Sequence, residues 1–365
     1  MRIGLALLLA PLLFAFLVTA TQPSPEKPLA AAQVTLQGSM NLQDALKLLS
    51  GTGNAAVDLR SRYGQEAPNP ALEFALGKTT FWPAADEIAK KANLRLQPWM
   101  NSDSKECLLG FVGPSAFGNG AQLPPAYDGP FRVVIKRTNA DRHFDDQSLS
   151  SLSITIELAW EPRYRPLLLK VGNGSVRATN ADGSSVVVDQ GGTTAIRLLG
   201  EAAVEIPVRL PLPPRQQLTL PKLECQFAIQ VPPEQLLFTI PRLAQNEQQT
   251  HKGVTALVNH FDVEPKSGLW TIGITLKYPA GTLDLESHQT WAVEGNDIAL
   301  VHRNGQRIAS KLNRDVAIED GGSIRVTYYF ERMAGRPDEY HLEYQAPAAP
   351  LTYSAKFTFH NLPLP

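Results

Sequence analysis

Hydrophobic and polar positions along this chain follow three successive grammars. The first is a continuous apolar run from Ile3 to Val18, preceded by one positive residue, Arg2, and followed by the small residues Val18-Thr19-Ala20. That pattern predicts a secretory signal peptide over residues 1–20, and therefore an exported protein, periplasmic or extracellular. The run of about 16 residues is close to the ~18–20 of a spanning helix, so an uncleaved N-terminal anchor is the alternative. Residues 21–32 are Pro/Ala-rich and aperiodic, which predicts a disordered linker.

The second grammar mixes periods. Val34 and Leu36 alternate as a strand, and Leu42, Ala45, Leu46 and Leu49 then recur at helical spacing between Asn41, a candidate N-cap, and Gly51 and Gly53. Ala55–Leu59 and the alternating Leu72, Phe74 and Leu76 read as strands. Phe81, Ala84, Ala85, Ile88, Ala89 and Ala92 form a second helical face behind Thr80, with Pro83 tolerated in the first turn. Leu94-Arg95-Leu96 and Cys107–Val112 close a unit over residues 33–112, ordered β-α-β then β-α-β-β, with both helices expected on one face of a small sheet.

The third grammar is strict alternation. After a Pro/Gly/Ala-rich stretch from Gly113 to Gly129 only strands are expected, in two similar runs. Leu152, Ile154, Ile156, Leu158 and Trp160 have a counterpart in Trp270, Ile272, Ile274, Leu276 and Tyr278. Val204–Leu210 matches Ile324–Phe330, and the closing strand Leu223, Cys225, Phe227, Ile229 matches Tyr353, Ala355, Phe357, Phe359. Asn304-Gly305 predicts a type I′ hairpin turn. The expected fold class is therefore mixed: a small α+β module, then two tandem antiparallel β-sandwiches of immunoglobulin-like size over 130–243 and 253–365.

The text Asn41–Leu59 (NLQDALKLLSGTGNAAVDL) and Phe74–Gln97 (FALGKTTFWPAADEIAKKANLRLQ) resembles the short N-terminal domain of secretins and TonB-dependent receptors. The likeness covers the 33–112 unit alone and implies a periplasmic, non-catalytic module for protein–protein contact or ring assembly. The chain beyond residue 112 reads neither as a secretin channel nor as a plug-and-barrel receptor, so outer-membrane transport does not carry over.

Composition narrows the function classes. The 365 residues hold 34 Lys+Arg against 35 Asp+Glu, a balance that excludes a general nucleic-acid binder. No later segment is apolar for long enough to span a membrane as a helix. Two cysteines cannot form a disulfide-dense scaffold or a Cys-only zinc site.

Candidate chemistry is sparse. Gly51–Ala56 fits a relaxed dinucleotide fingerprint but follows a helix instead of opening one, so it reads as a C-cap. His143, Asp145 and Asp146 are the candidate ligands for a divalent cation, with His260-Phe261-Asp262 as a parallel; no third or fourth ligand recurs at a suitable spacing. In Glu286-Ser287-His288 adjacent strand residues would face opposite ways, which excludes a nucleophile–base pair. Cys107 and Cys225 could pair in an oxidising compartment, although Cys225 alternates with Leu223 and Phe227 as a buried residue would. Trp160 and Trp270 continue core faces, whereas Trp291, in a polar run, is the candidate ligand-binding aromatic for a glycan. Asn173-Gly174-Ser175 is a glycosylation sequon. No cofactor and no catalytic residue is expected. The expected function is that of an exported, non-enzymatic cell-envelope protein that docks or scaffolds a protein partner; a carbohydrate or cell-wall binder and a metal-dependent hydrolase are the alternatives.

Overall fold

The computed structural model describes residues 29–60, 67–100, 106–114, 123–188, 192–283, 289–310, 315–319 and 322–365. They are mostly β-strand, arranged in several sheets, with two α-helices near the N-terminal end.

The N-terminal part contains β1 (Gln33–Asn41), α1 (Leu42–Ser50), β2 (Ala56–Asp58), β3 (Ala71–Thr80), α2 (Phe81–Lys91), β4 (Arg95–Met100) and β5 (Cys107–Val112). Helix α1 starts where the Asp44 amide donates to Asn41 Oδ1 at 2.9 Å, and ends where the Gly51 amide donates to Lys47 O at 2.8 Å. Its buried residues are those with helical spacing: Leu42, Ala45, Leu46 and Leu49. Thr80 stands at the N-cap of α2 without a side-chain hydrogen bond; the Phe81 amide instead donates to Ala32 O at 2.9 Å. The strands do not form one sheet. β1 pairs antiparallel with β3, while β5 lies between β2 (parallel) and β4 (antiparallel). Periodicity shows which face of a strand is buried; it does not show which strand lies beside it.

Beyond this part the strands form two sheet pairs. The first is built from β6 (Ala126–Asp128), β7 (Phe131–Asp141), β8 (Ser151–Trp160), β9 (Leu168–Val171), β10 (Val176–Thr179), β11 (Ser185–Val187), β12 (Thr194–Arg197), β13 (Ala203–Pro211) and β14 (Thr219–Val231). The second is built from β15 (Gln235–Ile240), β16 (Gln248–His251), β17 (Val254–Glu264), β18 (Leu269–Lys277), β19 (Asp297–His302), β20 (Arg307–Ala309), β21 (Asp315–Glu319), β22 (Ser323–Phe330) and β23 (Tyr340–Pro347). Order β13-β8-β7-β6 faces β11-β10-β14-β9-β12 across one core; β15-β23-β19-β20 faces β16-β17-β18-β22-β21 across another. Part of the stretch read as a loop before Gly129 is strand β6, an edge paired to β7.

The last strand, β24 (Leu351–Pro363), corrects the reading of two self-contained repeats. It pairs antiparallel with β14 from Thr219↔Pro363 to Val231↔Leu351, and its Ala355, Phe357 and Phe359 enter the first core. Conversely β15, inside the 130–243 stretch, pairs with β23 and packs in the second core. The two closing strands are therefore neighbours, not equivalents: Cys225 lies opposite Phe357. An alternating strand carries the same pattern whichever partner it takes, so the exchange leaves no periodic trace. Consecutive strands β14–β15 thus run beside β23–β24 as a two-stranded ribbon through both sheet pairs, held between them by the Ala348 amide on Glu234 O at 3.0 Å.

The Asn304-Gly305 hairpin joins β19 and β20, but Asn304 is not in the left-handed region. The Gly305 amide donates to His302 O at 2.8 Å, and Gly305 alone has positive φ (89°). That is a type I turn followed by a left-handed glycine, the three-residue hairpin loop.

Candidate functional site

The sequence-derived candidates are scattered. His143 Nε2 lies 3.4 Å from Asp141 Oδ2, and Asp146 Oδ1 accepts from Ser148 N (2.9 Å) and Ser148 Oγ (2.6 Å), capping a single 3-10 turn. Those bonds hold the Asp146 carboxyl below its ordinary range. Asp145 is exposed on the same loop. Among the described residues no three His, Cys, Asp or Glu side chains come together as a metal would require, so His143, Asp145 and Asp146 are not a ligand set there. His260 and Asp262 lie on the exposed face of β17, while Phe261 stacks edge-on against Trp270, ring centres 5.9 Å apart. Glu286-Ser287-His288 falls outside the described residues, as does the side chain of Trp291, whose backbone lies in the 3-10 turn Thr290–Val293. Trp160 and Trp270 are buried in the two sheet-pair cores.

Cys107 and Cys225 are not paired: both thiols are free and buried, as the alternation around Cys225 favours. Cys225 sits in the first core between strands β10 and β24, whereas Cys107 opens β5 and donates to Glu201 O at 3.3 Å. Burial pushes their pKa up, to about 12 for Cys225 and about 11 for Cys107. Thiols so held are poor nucleophiles and poor metal ligands.

What the structure does bring together is a junction that periodicity did not reveal. On β8, Leu158 and Trp160 face the first sheet-pair core, but Ala159 turns the other way and joins the core of the N-terminal part. Trp82, next to Phe81 on α2, is buried and donates its indole Nε1–H to Pro130 O at 2.9 Å. Arg132 lies over the Trp82 ring and clasps Asp86 through two bonds, 2.8 and 2.7 Å. Glu161, fully buried, accepts the Ala32 amide at 2.8 Å, Arg163 Nε at 2.7 Å and Asn54 Nδ2 at 3.3 Å. The Arg163 amide returns to Asn54 Oδ1 at 3.0 Å. Burial raises the Glu161 pKa against the pull of these donors. The residue type alone gave no cue to this role; the local cue was a carboxylate directly after a fully apolar strand end.

Concave regions border these elements. A cavity of about 400 Å³ lies where the N-terminal part meets both sheet pairs, lined by Met100, Cys107, Arg165 and Glu201, and by Arg197 and Glu294, which pair at 2.6 Å. At the opposite end of β8, a cleft of about 690 Å³ opens between the β7–β8 loop and the end of β13. A neighbouring one of about 390 Å³ lies under residues 212–217 and Leu364. Arg142 and Arg215 line both, Arg209 and His143 line the larger, and neither lining contains an Asp or Glu side chain.

No family model, no curated protein and no solved structure matches this chain.

Proposed function

We propose that this is an exported, non-enzymatic cell-envelope protein that docks or scaffolds a protein partner, with an N-terminal α+β module carried on two β-sandwiches that exchange strands. The observation that carries this reading is the pair of open strand edges in the N-terminal part. β1 and β3 pair only with each other, so each has one edge without a strand partner among the described residues. Neither contains proline, whereas the long edge strands β13 and β24 carry Pro207, Pro211 and Pro363. Proline and short length protect edges against pairing; β1 and β3 have neither, and although a bulge at Leu36/Gln37 interrupts their register, edges of nine and ten residues can take an added strand. Leu48, Val57 and Leu76 are large apolar side chains exposed on the same part, the kind of surface a partner covers. The resemblance of its sequence to the short N-terminal domain of secretins and TonB-dependent receptors points the same way. The Glu161 and Asp86 contacts support a scaffold role, since they hold this module fast to the sheets behind it.

A photo-crosslinking residue at Glu73 on β3, in the full chain expressed in its native envelope, tests this. The expected result is a discrete protein adduct, absent when the probe replaces Glu205 on the proline-bearing strand β13. No adduct at position 73, or the same products from both positions, would refute the docking role.

A further inference from the structure

Strand β3 differs from an ordinary edge in how its side chains alternate. Its register with β1 steps from Leu36↔Gly77 to Gln37↔Ala75, so Leu76 is an extra residue, followed by Gly77 at φ 61°. Residues opposite each other in a ladder share a face. Val34 and Leu36 are buried, so their partners Thr79 and Gly77 lie on the inner face with Leu72 and Phe74. Ala71, Glu73, Ala75, Leu76, Lys78 and Thr80 lie on the outer face. From Ala71 to Thr80 the order of outer and inner positions therefore reads the same in both directions, centred between Ala75 and Leu76.

A second β3 laid antiparallel about that centre matches inner with inner and outer with outer over the whole ten-residue strand. At this register Glu73 of each copy lies opposite Lys78 of the other, and Leu76, 39% exposed, lies opposite Ala75. Both charged side chains are exposed, and neither has an ion-pair partner among the described residues. The longest symmetric registers confined to 71–75 or 76–80 instead set Glu73 against Glu73 or Lys78 against Lys78, which is unfavourable. A regular strand can pair across the bulge only by leaving Leu76 unopposed, as β1 does; a second β3 supplies the matching residue. β1 has no charged side chain, so its own edge selects no such register. We propose that the β3 edge joins two copies of this chain as a two-fold antiparallel pair, extending the sheet to β1-β3-β3-β1. This rests on the docking role and names the occupant of one of its two edges, leaving β1 open to a different protein.

Sedimentation equilibrium of the purified full chain tests this. A monomer–dimer equilibrium is expected, weakened by salt. Glu73→Lys and Lys78→Glu should each weaken dimerisation on the order of tenfold, because each sets like charges opposite at both symmetric positions. The double variant Glu73→Lys/Lys78→Glu should restore it. So should an equimolar mixture of the two single variants, in which every 73–78 pair is again opposite in charge. Restoration in either case excludes misfolding as the cause of the loss. A chain that stays monomeric up to its solubility limit overturns the proposal. So does a dimer that both single variants leave intact, or one that neither the double variant nor the mixture restores. A monomeric chain whose probe at position 73 still yields an adduct in the envelope overturns the pairing of copies alone, and the docking role stands with a different protein on β3.

Discussion

Glu161 places a carboxylate where no solvent reaches it, and the junction is organised around satisfying its two oxygens. Replacing it with alanine orphans the Ala32 amide and leaves Arg163 and Asn54 without their acceptor, so a loss of about 2–3 kcal/mol is expected in urea denaturation at neutral pH. Its pKa is raised above the ordinary 4.5 by burial. The folded chain therefore holds this proton more tightly than the unfolded chain, and the group's contribution to stability falls as pH rises from 4.5 through the folded value. Glu161→Gln, which cannot ionise, should flatten that part of the profile in thermal melts; an unchanged slope would refute the assignment. The two cysteines give a second prediction at this scale. With both thiols buried and their pKa values raised, a thiol reagent at mildly alkaline pH should find no fast-reacting group in the native protein and two after denaturation. A reductant-sensitive link between the Cys107 and Cys225 peptides in mass spectrometry would contradict this.

Individual elements were largely legible. The caps and buried faces of α1, the alternation of β8 and β18, and the core positions of Trp160 and Trp270 are local consequences of period and side-chain size. Their partners were not legible. Tyr353, Ala355, Phe357 and Phe359 read as a core-facing strand and are one, but they close the first core instead of the second. Phe357→Ala should therefore cost about 3–5 kcal/mol and shift unfolding of the first sheet pair, leaving the transition of the second in place. A shift confined to the second would reverse the strand assignment. Gly129, read as linker, is another such case. It turns between β6 and β7 at φ 53°, and a Cβ there would run into the Tyr353 hydroxyl that bonds Asp128. Gly129→Ala is expected to destabilise by at least the ~1 kcal/mol of a left-handed alanine, read as a lower urea midpoint.

At the scale of the molecule, the β14–β15 and β23–β24 ribbon ties the sheet pairs twice. Pro232, Pro233 and Pro350 lie at the crossing, which limits backbone freedom further. A chain ending at Pro347 would keep one connection and lose β24, so limited proteolysis should cut near Glu234, where the full chain resists. Equal resistance in both would mean the second strand adds no rigidity. The same scale explains why the candidate site was hard to read. The cleft at the start of β8 assembles Arg142, Arg209 and Arg215 from separate loops and a strand end, and each alone is an ordinary surface arginine. His143, Asp145 and Asp146 stood out because they were close in sequence, yet the polar atoms of His143 and Asp146 serve local contacts.

The sequence by itself determined the periods: which stretches become helices or strands, which of their faces leave water, and a nearly even balance of charge. Those follow from side-chain geometry and transfer out of water, which act residue by residue along the chain. Only the tertiary structure decided that the last strand crosses back to β14, that Glu161 locks the N-terminal part to β8, and that three arginines converge beside exposed phenylalanine and leucine. Each depends on which surfaces meet, and the hydrophobic effect that drives the meeting is non-directional, so the pattern along the chain leaves the partner unnamed.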